Sequence, residues 1–186
     1  VSYFTAAVMI LFFIGLKDDL INMNAWKKFF AEILTAFIVA VFTDIHFTSF
    51  HSLFGITEVP AWASYITTVF ILVLIINAVN LIDGIDGLAA SVGIIASVFF
   101  GTWFFLSGDY GYTVMAASLL GSLIVFLFYN LSNGRMKIFM GDTGSIVIGF
   151  TLAVMAIRFN ELDAAGRSFY NLGSTPSVSI AVLIVP

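Results

Sequence analysis

The sequence predicts an all-α protein, a polytopic transmembrane helix bundle, on the basis of its composition and the spacing of its apolar runs. Of the 186 residues, 61% are hydrophobic and only 10% are charged, whereas a soluble domain is about half apolar and a quarter charged. The apolar runs approach the length of about 20 residues that a helix needs to cross a bilayer. Polar breaks separate them, so residues 1–186 are expected to form a single integral membrane domain.

Seven apolar segments are candidates for membrane-spanning helices. Five are predicted to be complete spans, at residues 26–42, 61–79, 88–106, 112–129 and 143–157. Residues 1–16 and 178–186 are predicted to be partial spans cut off by the chain ends. The last complete run is short, but its small residues Gly144, Gly149 and Ala153 would let neighbouring helices approach closely. The first run lacks the leader and cleavage site of a signal peptide. The chain also stops inside an apolar run, so it is expected to be a fragment of a longer protein.

Every second break between these runs carries aspartates. The three breaks contain the sequences GLKDD at 15–19, NAVNLIDGIDG at 77–87 and MGDTGS at 140–145. Because a chain that crosses a bilayer repeatedly places alternate breaks on the same side, five carboxylates are expected to gather at one membrane face. They are Asp18, Asp19, Asp83, Asp86 and Asp142. At that face they would be close enough to share a metal ion or a phosphate-bearing substrate.

The basic residues predict which face this is. Five of them border the aspartate-bearing breaks, and two lie in the other breaks. The five are Lys17, Lys27, Lys28, Arg135 and Lys137. Since short cytoplasmic loops carry the excess of lysine and arginine in membrane proteins, the site is expected to face the cytoplasm from a multi-pass protein of the inner (plasma) membrane.

The remaining breaks differ in character from the acidic ones. Residues 43–60 mix aromatic and β-branched residues around a glycine, which is compatible with a small extracytoplasmic β-hairpin. Residues 158–177 are polar and contain turn-forming residues, which predicts an exposed loop. His46 and His51 lie opposite the aspartates in this topology, so a surface role is expected for both.

The first acidic break has two interpretations. Adjacent carboxylates at Asp18 and Asp19 repel each other, and the arrangement is favourable mainly when a cation or proton offsets it. The alternative is an ordinary solvated helix end. Lys28 and Glu32 have the i, i+4 spacing of a simple surface pair; otherwise Lys28 would face the carboxylates and bind phosphate.

The second and third breaks favour a binding site. Asn77, Asn80 and Asp83 recur every three residues, so they are neighbours if the helix continues. Polar groups near membrane depth persist chiefly at cavities and binding sites, whereas a pair of helix-ending turns would leave both asparagines unexplained. In the third break, Asp142 precedes a new helix, where its carboxylate would cap the helix or bind a metal. Glycines beside it would let a phosphate reach the helix start.

The oxygen-rich breaks predict the kind of metal. The chain has no cysteine, and no histidine lies near the aspartates in the sequence. Hard oxygen ligands of this kind favour Mg²⁺ or Mn²⁺ over zinc. Magnesium usually takes only one or two protein carboxylates, so some of the five aspartates are expected to orient groups or transfer protons instead.

At these motifs the chain resembles the polyprenyl-phosphate N-acetylhexosamine-1-phosphate transferases. The three motifs occur in the family's order across nearly the whole chain, and together they are highly specific. The resemblance implies a membrane phosphotransferase that needs Mg²⁺, for which Mn²⁺ can substitute. A UDP-amino sugar and undecaprenyl phosphate would give the lipid-linked sugar and UMP at the bilayer surface. A homodimer is left open, and no nucleic-acid partner is expected.

The resemblance also implies roles for individual residues. Asp142 matches the metal ligand of the family, with Asp19 as a second candidate ligand. The expected catalytic residues are Asp18, Asp19, Asp83 and Asp86. The expected substrate-binding residues are Asn77, Asn80, Lys28, Gly141 and Ser145. The family's N-terminal helices and its C-terminal histidine motif are missing, as expected of a fragment.

Within the family, the motifs look closer to the N-acetylglucosamine-phosphate branch than to phospho-N-acetylmuramoyl-pentapeptide transferase, which is the alternative. Two other classes fit less well. A CDP-alcohol phosphotransferase needs an arginine soon after its Asp-Gly pair, whereas Leu-Ala-Ala-Ser follows Asp86-Gly87. A cation-coupled transporter places ionisable groups near the bilayer midplane on broken helices, whereas these aspartates are predicted at span ends.

Overall fold

A computed structural model describes residues 2–48 and 59–164, and it is helical throughout these ranges apart from the connections. A short 3-10 helix, Gly134–Met136, precedes the last helix. The six α-helices are α1 (Ser2–Ile21), α2 (Ala25–Phe42), α3 (Ala61–Ile82), α4 (Leu88–Leu106), α5 (Tyr110–Asn130) and α6 (Gly141–Ala164). Helices α2 to α6 correspond to the five predicted complete spans.

Four expectations fall partly or wholly outside the described residues. One is the exposed loop predicted at 158–177, of which residues 165–177 are not described. The other three concern the partial span at 178–186, His51 and the central part of the predicted β-hairpin. The described parts of that connection, residues 43–48 and 59–60, contain no strand.

The described helices form a polytopic membrane bundle, as predicted. Helices α3, α4, α5 and the Gly141–Leu162 part of α6 are each long and apolar enough to cross a membrane. Large apolar side chains cover the outside of the bundle; Phe13 is 65% exposed, and Phe30 and Phe128 are each 71% exposed. Water would disfavour so much exposed apolar surface, whereas lipid chains would cover it.

Helix α6 is the centre of the bundle. Its apolar stretch is 83% buried, whereas that of α5 is only 11% buried. Two glycines bring neighbouring backbones close to each other at α6. A Cβ atom on Gly149 would lie 2.8 Å from the Cα atom of Ile76 in α3, and one on Gly15 in α1 would lie 2.5 Å from the Cα atom of Thr143. These two contacts therefore require the absence of a side chain, as is common where membrane helices pack tightly.

The connections between helices lie at the two ends of the bundle, as the alternation of breaks predicts. At one end, the N–H of Gly87 donates to Oδ1 of Asn130 over 2.6 Å, which ties the start of α4 to the end of α5. At the other end, the N–H of His46 donates to Oε1 of Glu161 over 2.7 Å. The acidic motifs lie at the first end and His46 at the second, which confirms their predicted separation.

The predicted exposed loop from residue 158 is wrong in its first part, because α6 continues to Ala164. Arg158 stays in the helix because two carboxylates neutralise its guanidinium. One is Asp109, at 2.9 Å from Nη2 to Oδ2, and the other is Glu161, at 3.2 Å from Nη1 to Oε2. The guanidinium carbon also lies 5.4 Å from the ring centroid of Tyr112. Charged groups persist in such surroundings when they are paired.

The apolar run predicted at residues 1–16 ends before its helix does. Helix α1 runs on to Ile21, so Asp18 and Asp19 belong to its last turns. The helix ends at Asn22, which has a φ of 54° and donates its N–H to the carbonyl of Asp18 over 2.8 Å. Asparagine is one of the few residues that adopt this left-handed conformation readily. Charged residues ended the apolar run without ending the helix.

We expect the substitution Gly15→Ala to lower the thermal unfolding midpoint in detergent. The added methyl group would overlap the backbone of α6, and overpacking of this kind costs about 1–3 kcal/mol. The matched control is Gly121→Ala in α5, where a Cβ would meet no atom within 4 Å. It should leave the midpoint unchanged or raise it slightly, since alanine is the better helix former. Equal midpoints for the two variants would contradict the close packing of α1 on α6.

Candidate active site

The first turn of α6 is capped by a carboxylate from another helix. Oδ1 of Asp19 accepts the N–H of Asp142 over 2.8 Å. Oδ2 of Asp19 accepts the N–H of Thr143 over 3.0 Å and also the Thr143 hydroxyl. The first N–H groups of a helix lack partners within the helix, and the helix dipole favours negative charge there. Asp19 therefore supplies from α1 the cap that α6 lacks in its own sequence.

Gly141 makes room for this cap. Its φ is +67°, and a Cβ on it would lie 2.9 Å from Oδ1 of Asp19. Glycine adopts such a backbone without strain. Gly141 thus turns the chain into α6 and accommodates the carboxylate of Asp19. Its expected role in substrate binding stays a prediction.

Lys28 lies between two carboxylates at the start of α2. Its Nζ is 3.2 Å from Oδ2 of Asp18 and forms an ion pair with Oδ1 of Asp142. It also donates to Oδ1 of Asn80 over 3.3 Å. Asp18 is held in addition by the N–H of Met23, at 2.6 Å. Carboxylates this close repel each other unless a cation lies between them, and the ammonium of Lys28 provides that cation.

Asn80 orients Asp142 from α3. Its Nδ2 donates to Oδ1 of Asp142 over 2.6 Å and to Oγ of Ser145 over 2.7 Å. Ser145 is fully buried, so it supports Asn80 from inside the bundle. Among the residues expected to bind substrate, Lys28 and Asn80 thus contact the carboxylate of Asp142. Ser145 instead contacts Asn80 and donates its hydroxyl to the backbone carbonyl of Asp142 over 3.3 Å.

Asp83 and Asp86 occupy different positions in the α3–α4 connection. Burial, followed by the negative charges of Asp142 and Asp19, raises the pKa of Asp83. Asp83 is therefore part of the same electrostatic cluster. Asp86 instead pairs with Lys137, at 2.5 Å from Oδ2 to Nζ. No hydrogen bond or ion pair among the described residues joins Asp86 to Asp142.

Of the two alternatives for Lys28, the structure shows the one in which it faces the carboxylates. The surface pair with Glu32 is wrong. Glu32 is 0% exposed, and its Oε2 accepts Nδ2 of Asn77 over 2.5 Å. The same Nδ2 also donates to the carbonyl of Val73 over 2.9 Å. The i, i+4 spacing fits both arrangements, and only the packing of α2 against α3 decides which neighbour Glu32 meets.

Three more residues of this end received no site role from the sequence. Thr143 contacts the cap, and Lys137 pairs with Asp86. Asn130 is 5% exposed and joins two acidic breaks: it accepts the N–H of Gly87 and donates to the carbonyl of Ile138 over 2.9 Å. An asparagine at the end of an apolar run was the available signal for Asn130.

The donor set fits a hard divalent cation at Asp142 better than at Asp19. The side chain of Asp142 is 33% exposed, whereas both oxygens of Asp19 are hydrogen-bonded to the start of α6. The described ranges contain no group of three acidic, histidine or cysteine side chains that could hold an ion. Magnesium often binds one or two carboxylates and takes its other ligands from water and phosphate, so a single carboxylate beside a phosphate site suits it.

The fold and the site together define a multi-pass membrane protein with an acidic, lysine-bridged site where its helices end. A family model places the chain more narrowly. The protein belongs to glycosyl transferase family 4, whose model matches residues 1–160. This finding confirms the resemblance to the phosphosugar transferases.

Individual relatives that match this chain also carry the names of phosphosugar transferases. The phospho-N-acetylmuramoyl-pentapeptide-transferase of Staphylococcus carnosus (strain TM300) is 34% identical over 184 residues, covering 91% of this chain and 57% of the relative. That of Caldanaerobacter subterraneus subsp. tengcongensis is 37% identical over 154 residues, covering 77% and 48%. The probable undecaprenyl-phosphate N-acetylglucosaminyl 1-phosphate transferase of Bacillus subtilis (strain 168) is 31% identical over 184 residues, covering 98% and 46%. The chain spans about half the length of these curated relatives.

We expect Asp19→Ala to loosen the start of α6. Loss of a capping side chain costs about 0.5–2 kcal/mol, so amide hydrogen exchange should become faster in a peptide that covers residues 140–146. Asp86→Ala removes a carboxylate from the same end of the bundle without touching the cap, and it should leave that exchange unchanged. Identical exchange in the two variants would show that Asp19 does not cap α6.

Proposed function

We propose that the protein to which this chain belongs transfers N-acetylhexosamine-1-phosphate from a UDP-amino sugar to undecaprenyl phosphate and releases UMP. The observation that carries the proposal is the meeting of Lys28, Asn80 and Asp142, from three helices, at one end of a membrane bundle. A lipid phosphate stays at the bilayer surface while a nucleotide sugar arrives from water. A site where helices end can receive both.

The chemistry suits the groups that meet there. Attack of one phosphate on the diphosphate of another substrate brings like charges together, so catalysis depends on positioning and cationic shielding. Lys28 contributes a fixed positive charge, which Asp18 holds in place. Asp142, oriented by Asn80, would hold Mg²⁺ or Mn²⁺; when bound, the ion shields phosphate oxygens and polarises the bond that breaks.

The remaining carboxylates have supporting roles in this proposal. Asp18 and Asp19 would prepare the acceptor phosphate, with Asp19 acting mainly through the position of Asp142. Asp83 and Asp86 would orient the nucleotide diphosphate, and Lys137 beside Asp86 supplies a second cation at the same end. The whole site would face the cytoplasm from the inner (plasma) membrane, in keeping with the basic residues that border the acidic breaks.

The donor sugar distinguishes two versions of the proposal. We favour N-acetylglucosamine-1-phosphate, and hence the first membrane step of cell-envelope polysaccharide synthesis, because the acidic motifs resemble that branch. The Bacillus subtilis relative with the corresponding name also matches 98% of this chain. Phospho-N-acetylmuramoyl-pentapeptide transfer, a step of peptidoglycan synthesis, is the second candidate, since relatives at 34% and 37% identity carry that name.

We expect Asp142→Asn in the full-length protein to lower formation of the lipid-linked sugar by about 10²–10³-fold, the usual effect of removing a group that stabilises transition-state charge. Radiolabelled product is measured in membranes with undecaprenyl phosphate and a UDP-amino sugar. EDTA should abolish the activity and Mg²⁺ should restore it. Asp44→Asn, which changes an exposed carboxylate at the opposite end, is the control and should remain active. Product formation that survives both EDTA and Asp142→Asn would refute the proposal.

A donor panel separates the two versions. UDP-N-acetylglucosamine, UDP-N-acetylgalactosamine and UDP-N-acetylmuramoyl-pentapeptide are each offered with undecaprenyl phosphate, and UMP release is measured. We expect the highest kcat/KM for UDP-N-acetylglucosamine, since its branch has the closest motifs. Preference for the pentapeptide donor would establish the second candidate instead. Solute uptake into vesicles without UMP release would favour a transporter.

A further inference from the structure

Glu32 is a buried carboxyl group that the proposed chemistry does not use. It lies in α2, one turn deeper in the bundle than Lys28, and it is 0% exposed. Its Oε2 accepts one hydrogen bond, from Nδ2 of Asn77 at 2.5 Å. Its Oε1 has no hydrogen-bond partner among the described residues. One side-chain hydrogen bond is thus the only one that the described part of the chain gives this group.

Such a group is poorly explained by stability. Burying a carboxyl with incomplete hydrogen bonding is unfavourable, and apolar replacements of similar volume are often neutral or stabilising. A residue of this kind is more easily explained by the geometry that it imposes on its partner. For Glu32, that partner is Asn77.

The contact fixes which way the amide of Asn77 points. Nδ2 donates both to Oε2 of Glu32 and to the carbonyl of Val73, so its two hydrogens are used. The amide oxygen Oδ1 therefore points away from both acceptors, because Nδ2 is the side of the amide that faces them. Asn77 itself is exposed, although Glu32 is not. It lies on the same face of α3 as Asn80, which contacts Asp142.

We propose that Glu32 is a positioning residue that holds Asn77 with its carbonyl oxygen toward the site, where Oδ1 accepts a hydrogen bond from a hydroxyl or amide N–H of the donor sugar. This inference rests on the proposed function. Without Glu32 the amide can rotate and present Nδ2 instead, which has the wrong polarity for such a group. Asn77 touches the substrate in this arrangement, and Glu32 acts only through Asn77.

The test is a double-mutant cycle in the full-length protein, with kcat and KM for the UDP-amino sugar and the thermal unfolding midpoint as readouts. Glu32→Leu keeps a similar volume and removes the acceptor. We expect it to raise KM by about tenfold, the usual effect of one lost hydrogen bond, with an equal or higher unfolding midpoint. Glu32→Gln should stay within about threefold of wild type, because the glutamine oxygen still accepts from Asn77.

The decisive comparison uses Asn77→Ala. If Glu32 acts through Asn77, Glu32→Leu should cause no further loss of kcat/KM in the Asn77→Ala background. The matched control is Thr35→Val, which removes a buried hydroxyl of α2 that bonds only within its own helix, to the carbonyl of Ala31 at 2.8 Å. It should leave kcat/KM unchanged.

Three results would overturn the inference. Losses that multiply in the double variant would show that Glu32 and Asn77 act independently. If Glu32→Leu lowers both the activity and the unfolding midpoint, the role of Glu32 is merely structural. If the intact wild-type protein releases no UMP with any donor, the proposed function is refuted, and this inference with it. If the wild type is active and the losses of the two variants multiply, the inference alone is refuted.

Discussion

The carboxylate of Asp19 at the start of α6 is the contact on which the arrangement of the site depends. Helix α6 is the most buried helix of the bundle, and it carries Asp142 in its first turn. Asp19 accepts the N–H groups of Asp142 and Thr143. The position of this turn therefore depends on the position of α1. Lys28 from α2 and Asn80 from α3 then meet the same carboxylate of Asp142. Four helices therefore define one small polar volume.

Charge balance explains why this volume is stable at the edge of an apolar bundle. An unpaired carboxylate that has lost water costs several kcal/mol, and removal of one partner from a buried ion pair is strongly destabilising. The side chain of Lys28 is only 13% exposed and serves both Asp18 and Asp142. The positive end of the α6 dipole offsets the charge of Asp19. Asp18, Asp19 and Asp142 thus each lie beside a source of positive potential.

Much of this arrangement could be predicted from the sequence, because it follows from helix length and alternation. The apolar runs gave five of the helices, and the alternation of breaks predicted which motifs share an end. The ends of α1 and α6 could not be predicted in this way, since charged residues end an apolar run without ending a helix when they are capped or paired, as Arg158 is. The contact between Glu32 and Asn77 depends on how two helices cross, which the residue spacing within one helix does not contain.

The ion pairs of Arg158 have a consequence for how α6 is held within the bilayer. They anchor α6 at one end, and Asp19 and Lys28 anchor it at the other, sixteen residues and about 24 Å away along the helix. A helix held by charges at both ends cannot slide along the membrane normal without breaking both sets. In a thicker or thinner bilayer the bundle must therefore tilt, or the lipids around it must stretch or compress. The plane in which phosphate groups would meet stays fixed relative to the protein, whatever the lipid composition.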